Sequence, residues 1–450
     1  DEGDGRSLVT GAARASDAPD LNVLDLLYDR APFISYGNSI WKNCYETIAN
    51  INNVLNYEEK NRSVIAPVVD SLVRGEMLGL RALLHFDLLR MFGKGNLGNR
   101  RELLNTFTIP YSLDFNKYAP AQVTYEQFLY YLKKDIEEAI EYLYVDPITR
   151  REPLSYYQPY VDQAFLATDE YNRGIIDRNF RMNYYAAQAL YARILMWEGT
   201  PEAKGKALTV AEDLIENAYY SWAYENSVMV KNNEWWKSDL LFKNEHLFTI
   251  AVEKLEEYQT HTQGTRNWFD ASSPGNTYQV VYLNQSKAEE IYESPGIGDS
   301  DWRFIYCLLP QGQSRSYYGL VKLRQHPEHT ADYSRMIPMI RITEMYYIAA
   351  ECRMEAGPDY DKSKALDYLN TVRRHRGIAQ AEELPASLTD AEVKEEIYKE
   401  YRKEFVGEGQ IFFYYKRKGM ETIPGYNGEM TDLQYQYPMP DDEIALGGRI

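Results

Sequence analysis

Three constellations in this sequence have residue types and spacings that can do chemistry. Gly93-Lys94-Gly95-Asn96-Leu97-Gly98 matches the pattern G-x-G-x-x-G. The amides of such a loop cradle phosphate when it follows a strand and opens a helix. Here it follows a long apolar-periodic segment and leads into irregular sequence, so it reads as the glycine-rich exit of a helix. His326-Pro327-Glu328-His329 spaces two imidazoles at i, i+3. The proline between them argues against a helix presenting both rings, and no third ligand completes a metal set. No HExxH, CxxC or GxSxG element occurs, so metal and nucleophilic catalysis gain no support and no cofactor is implied. The third constellation is aromatic: Trp222, Trp235, Trp236, Trp268 and Trp302, five of the seven tryptophans, fall within 218–340. Sugar rings have apolar faces rimmed by hydroxyls, so flat aromatic rings beside Asn, Asp and Arg complement both features.

Within that segment Trp302 follows the turn Ser294-Pro295-Gly296 and is framed by Asp299, Asp301 and Arg303, which predicts its display on the surface. Trp268 and Tyr278 flank a second turn, Ser273-Pro274-Gly275-Asn276. The predicted ligand-binding set is therefore Trp302, Trp268, Tyr278, Asp301, Arg303 and Asn276, with Tyr36 and Asn38 added from the loop entering the first helix. Packing in a small satellite core is the competing reading for each tryptophan. The 40 tyrosines outnumber Phe and Trp together. They divide between helix positions such as Tyr45, Tyr185, Tyr346 and Tyr368 and the aromatic segment, with Tyr278, Tyr282, Tyr306, Tyr317 and Tyr318. A glycosidase-type carboxylate pair is defined by distance in space, and nearly all of the 67 acidic residues are expected on solvated helix faces.

The elements that must position these groups are helical. Tyr45, Ile48, Ile51, Val54 and Leu55 share a face of 41–56. In 69–92, Val73, Met77, Leu80, Leu84, Leu88 and Met91 form one stripe, and Leu78, Ala82, Phe86 and Leu89 form a second. Residues 125–144 give a third helix and 145–180 read as loop. Two hairpins follow, 182–217 around Gly199-Thr200-Pro201 and 341–375 around Gly357-Pro358. Each is about 35 residues long, close to the tetratricopeptide period. A fourth unit opens with the capping box Thr389-x-x-Glu392 and runs to Lys418. Between the hairpins, 218–340 lacks sustained helical period, with short strands expected at 246–252 and 318–323, and the tail from Pro424 reads as irregular. The predicted architecture is mainly α: one domain over 1–450, with a helical scaffold at 41–217 and 341–420 carrying a loop-rich insert at 218–340.

The 450 residues suffice for a large core, and the net charge of −18 disfavours nucleic acid as a partner. No apolar run reaches the roughly 20 residues of a membrane span. Cys44, Cys307 and Cys352 cannot form a disulfide framework, and two of them fall on helices where Cys packs as a small hydrophobe. Residues 1–20 carry no secretory leader, which leaves a cytosolic protein or a trimmed or mature secreted one.

Several of these stretches together resemble the SusD/RagB nutrient-uptake lipoproteins of the Bacteroidetes outer membrane. Arg74-Gly75-Glu76 through Leu80-Arg81-Ala82 and His85-Phe86-Asp87-Leu88 to Phe92-Gly93 is similar to a signature helix of that family. So are Ala186–Gly199, and Arg341–Glu351 followed by Ala365, Leu369-Asn370 and Val372-Arg373. Tyr401-Arg402-Lys403-Glu404-Phe405 with Gly407-Glu408-Gly409, and the closing Tyr437-Pro438-Met439-Pro440 with Glu443-Ile444, complete the match over about 41–450. The resemblance implies a fold of four tetratricopeptide units with an irregular ligand-binding half. It also implies a non-catalytic, extracellular-facing lipoprotein of the outer membrane, anchored by an N-terminal lipid outside these residues and seated on a SusC-like TonB-dependent transporter. The implied ligand is an oligosaccharide, or a peptide in the RagB branch. A helical-toroid glycoside hydrolase or polysaccharide lyase and a cytosolic tetratricopeptide adaptor are the alternatives from other classes.

Overall fold

The computed structural model describes residues 31–150, 178–259, 282–311, 317–326 and 335–449, with residues 26, 28 and 328. Helices dominate, as the apolar periodicity predicts. The chain divides into two compact units. The N-terminal unit comprises Tyr28–Tyr220 with Tyr415–Met420 and Met430–Ile450; the C-terminal unit contains Ser221–Tyr414 and Glu421–Glu429. The division at Tyr220/Ser221 lies beside the expected start of the insert, and 341–414 groups with that insert.

The N-terminal unit is built from α1 (Ala31–Asn61), α2 (Pro67–Phe92), a two-stranded antiparallel ribbon of β1 (Phe107–Pro110) and β2 (Gln122–Thr124), α3 (Tyr125–Leu143), α4 (Tyr184–Glu198) and α5 (Pro201–Asn217). α1 starts well before the Trp41 expected from periodicity, so Tyr36 and Asn38 lie on a helix and not on the loop before one. On α2 the stripe of Leu78, Ala82, Phe86 and Leu89 is fully enclosed, whereas Val73, Met77, Leu80, Leu84 and Met91 are only half-buried. The deep face packs towards α3, where Phe128, Leu132, Ile136 and Ala139 are inaccessible. Gly75 permits this approach: a Cβ there would lie 2.6 Å from Leu143 Cγ. The α4–α5 hairpin turns on Gly199 in the left-handed region (φ 69°), and Thr200 caps α5 by accepting the Ala203 N–H at 3.1 Å.

His85 is a core residue, as its place in α2 predicts. It stacks on Tyr111 at 3.8 Å, its Nδ1 lies 2.9 Å from the Arg81 carbonyl, and its Nε2 accepts the Ser112 N–H. The ring is therefore neutral, with a pKa pushed down to about 3 by burial.

In the C-terminal unit, β3 (His246–Ala251) and β4 (Tyr282–Asn284) precede α6 (Gln285–Tyr292), β5 (Leu308–Gln311), β6 (Tyr317–Leu320) and β7 (Met336–Arg341). β3 pairs with β7, and β4–β6–β5 form a second antiparallel sheet. β3 and β6 coincide with the two strands expected from sequence. β7 runs directly into α7 (Ile342–Arg353), followed by α8 (Lys362–Arg374) and α9 (Asp390–Glu404). α7 is buried from Ile342 to Cys352 on every face. α9 opens with the expected capping box, Thr389 and Glu392 exchanging hydrogen bonds. The tail is less irregular than expected, with short helices at Asp432–Tyr435 and Asp441–Gly447.

Candidate functional site

The floor of the C-terminal unit is a connected set of buried ion pairs. α9 places Glu400 and Glu404 one turn apart on its inner face, both fully enclosed. Glu404 accepts from Arg376 at 2.8 and 3.1 Å, from Arg303 at 3.0 Å and from Arg341. Glu400 accepts from Arg303 at 2.9 Å and from Arg373 at 3.2 Å. Arg376 reaches on to Glu245, and Arg341 to Glu408. Burial alone would raise these carboxyl pKa values. The surrounding arginines reverse that, holding Glu404 far below the ordinary range and bringing Glu400 down to about 2. These acids are exceptions to the expectation that nearly all acidic residues occupy solvated helix faces: they are internal, and each is paired because an unpaired buried charge is prohibitive.

The network sets the positions of two tryptophans. Asp301 caps the one-turn helix Trp302–Ile305 through the Arg303 N–H at 2.9 Å and also binds the Arg303 guanidinium. The Trp302 N–H donates to the Arg376 carbonyl at 2.8 Å, and the indole lies on Gly377, where a Cβ would be 2.3 Å from Trp302 Nε1. Glu245 meanwhile accepts the Ala223 N–H at 3.0 Å. The neighbouring Trp222 stacks on His375 at 4.2 Å with an interplanar angle of 12°. Turn 375–377 thus seats an indole at each end.

Trp302 also packs, half-buried, with Trp236 and Tyr306 against an apolar cluster of Val228, Trp235, Leu240, Phe242, Cys307 and Val321. Trp236 lies flat on His326 at 3.9 Å and 5°, and His326 Nδ1 accepts the Glu328 N–H. His326 therefore serves as a stacking ring here. Tyr306 has a raised phenol pKa, from burial and then from the Glu225 carboxylate. The result is an aromatic rim of three half-buried rings, Trp302, Trp236 and Tyr306, over one apolar cluster.

The predicted residues sort as follows. Trp302 is on this rim, half-buried rather than fully displayed. Asp301 and Arg303 are corrections: they are 0% and 2% exposed, and their charges are consumed by each other and by Glu400 and Glu404. They hold the turn that carries Trp302. Trp268, Tyr278 and Asn276 lie outside the described residues. Tyr36 and Asn38 belong to the N-terminal unit. Tyr36 is exposed, and Asn38 lines a cleft of about 600 Å³ with Tyr28, Lys94, Tyr437 and Met439. Sequence reading omitted Trp236, Tyr306 and the Trp222–His375 pair from the set; the adjacent Trp235-Trp236 in a turn-rich stretch was the available signal.

With this geometry in place, the likeness to known proteins can be stated. Residues 309–446 match the SusD family, and residues 12–152 match a family described as starch-binding, associating with outer membrane. No curated protein matches the chain. Among solved structures, a SusD superfamily protein from Bacteroides vulgatus is 21% identical with a TM-score of 0.65, the alignment covering 100% of this chain and 91% of the other. A SusD-like carbohydrate binding protein from the same species is 15% identical, TM-score 0.67, covering 100% and 90%. Surface glycan-binding protein A from Bacteroides uniformis is 18% identical, TM-score 0.62, covering 92% and 84%. At these identities the three structures establish a shared fold.

Proposed function

The chain belongs to the SusD/RagB family, and from that premise we propose that it captures oligosaccharides at the cell surface, without cleaving them, for import through a SusC-like TonB-dependent transporter. Starch or glycan binding in association with the outer membrane is the function at the level of the family. The observation that carries the reading to this chain is the rim of Trp302, Trp236 and Tyr306 over one apolar cluster, with Trp302 tied to the buried charge network. Such rings can stack on sugar faces with little loss of side-chain freedom. A glycosidase acid needs a raised pKa beside the substrate; Glu400 and Glu404, depressed and enclosed, are unsuited to that role, and the non-catalytic role is part of the proposal. Among the described residues no helix is long and apolar enough to cross a membrane; attachment through an N-terminal lipid is part of the proposal.

Calorimetry with a panel of oligosaccharides tests it. Binding is expected, with Trp302→Ala and Trp236→Ala each weakening it by about tenfold while the fold is kept. Sustained release of reducing ends would replace this reading by an enzyme, and binding of peptides but no glycan would replace it by a RagB-like peptide carrier. Co-purification with a TonB-dependent transporter checks the partner.

A further inference from the structure

We propose that a groove of about 590 Å³ in the N-terminal unit is a second site for neutral saccharide, separate from the aromatic rim and resting on the glycan-binding reading. Its floor is pre-formed by three helices. Arg81 of α2 binds Asp135 of α3 through two bonds of 2.6 and 2.7 Å and Asn52 of α1 at 2.8 Å. Tyr111 donates its hydroxyl to Asp135 at 2.6 Å. Asn52 in turn donates to the carbonyls of Ser112 and Asp114, which pins the root of the loop after β1. That loop then holds Leu113 and Phe115 out at 40% and 51% exposure. An exposed phenylalanine on an anchored loop, at the edge of a groove, is a contact surface awaiting an apolar partner.

The rest of the lining selects what kind of partner. Tyr131 adds a second half-buried ring, and the exposed carboxamides of Asn56 and Asn116 add donors and acceptors. The charges largely cancel within the groove: Arg74 pairs with Glu59 at 2.9 Å, Arg81 with Asp135, and Lys134 approaches Glu138 at 3.8 Å, while Asp114 adds one further acid. A phosphate-bearing or sulfated polymer would meet slightly more negative than positive charge, and a strongly basic peptide would find little net attraction. A neutral ring with an apolar C–H face and a hydroxyl rim suits phenyl, phenol and carboxamide together, and the volume is within the ordinary range for small-ligand sites.

The test uses the whole chain and the neutral oligosaccharides maltoheptaose, cellohexaose, xylohexaose and mannohexaose. Once one is found to bind, Trp302→Ala is expected to leave a weaker residual binding. Adding Phe115→Ala and Asn56→Ala is expected to reduce that residue by about tenfold. Both positions are exposed, so the fold is kept, and circular dichroism checks it. Identical binding with and without the Phe115 and Asn56 changes overturns the second site and leaves the proposed function standing. Binding of none of the panel overturns both. Loss of peptide binding but not of saccharide binding in the groove variants also overturns it, by making the groove a peptide site.

Discussion

In the N-terminal unit, Arg81 and Asp135 bridge α2 and α3 within layers of Leu78, Phe86, Phe128 and Leu132, and Arg178 joins Asp146 and Glu76 in a separate small group. In the C-terminal unit Glu404 alone serves Arg303, Arg341 and Arg376, and through them the pairing extends to Glu245, Asp301, Glu400 and Glu408. The difference follows from element length. α2 and α3 are 26 and 19 residues long, enough for apolar stripes to fix their packing. The helix Trp302–Ile305 has 4 residues, too few to bury a stripe, and Arg303 ties it to α9 by charge-assisted bonds. Apolar stripes order much of the first unit; in the second a charge hub works beside the apolar clusters.

The contrast breaks if the hub is dispensable. Glu404→Ala leaves three buried guanidinium groups short of a partner and is expected to cost about 3–5 kcal/mol, seen by hydrogen exchange as lost protection in 300–325 with α2 unaffected. Leu132→Ala is the counterpart in the N-terminal unit. It should cost about 2–5 kcal/mol, with exchange rising in α2 and α3 and not in 300–325.

Acid sharpens the comparison. His85 and His246 are held neutral by burial, with pKa values pushed down to about 3 and about 4. Both units therefore lose stability as the pH falls below the ordinary 6.5, because the unfolded imidazole gains a proton first. Further down the units should diverge. Glu400, depressed to about 2, contributes stability that is complete above 4.5 and lost as the pH falls towards 2; a shift of that size is of order 3 kcal/mol. Asp239, raised to about 6 by burial, opposes this by a similar amount as the pH falls from 6 to 3.8, since acid relieves its desolvation, and adds nothing further below that. Urea unfolding followed by hydrogen exchange should therefore show the C-terminal unit falling faster below pH 3.8; parallel loss in both units would sink the distinction. The smallest effect is expected from Thr389→Ala, about 1 kcal/mol from a helix cap, with fraying confined to the first turn of α9.

The same contrast explains what could be read in advance. Phe128, Leu132 and Ile136 announce α3 because a 3.6-residue period is written in adjacent sequence. The start of α1 is concealed, since APFISYGNSI carries Pro, Gly and β-branched residues that weaken a helical reading. Asp301 and Arg303 beside a tryptophan after a Pro-Gly turn look like surface groups. Nothing local reveals that their partners stand on α9, about a hundred positions along. The Glu404 segment was conspicuous only through family resemblance, because a charge network is a property of distances in space. Trp302 was legible as a residue type, but its seating on Gly377 was not. Trp236 and Tyr306 were visible as aromatics without any sign that they would share a cluster with it.

That seating has an evolutionary consequence. Gly377 has φ +87°, and the space its side chain would fill belongs to the Trp302 indole. Positions 302 and 377 therefore form a coupled pair: any side chain at 377 would tip the indole off its bed and, on the proposed glycan-binding reading, alter ligand preference from beneath the rim. In a lineage that replaced the indole with a smaller ring, crowding at 377 would relax, though its backbone angle would still favour glycine. Divergence of specificity in this protein need not begin in the rim itself. It can begin one layer beneath, where a single hydrogen atom stands in for a side chain.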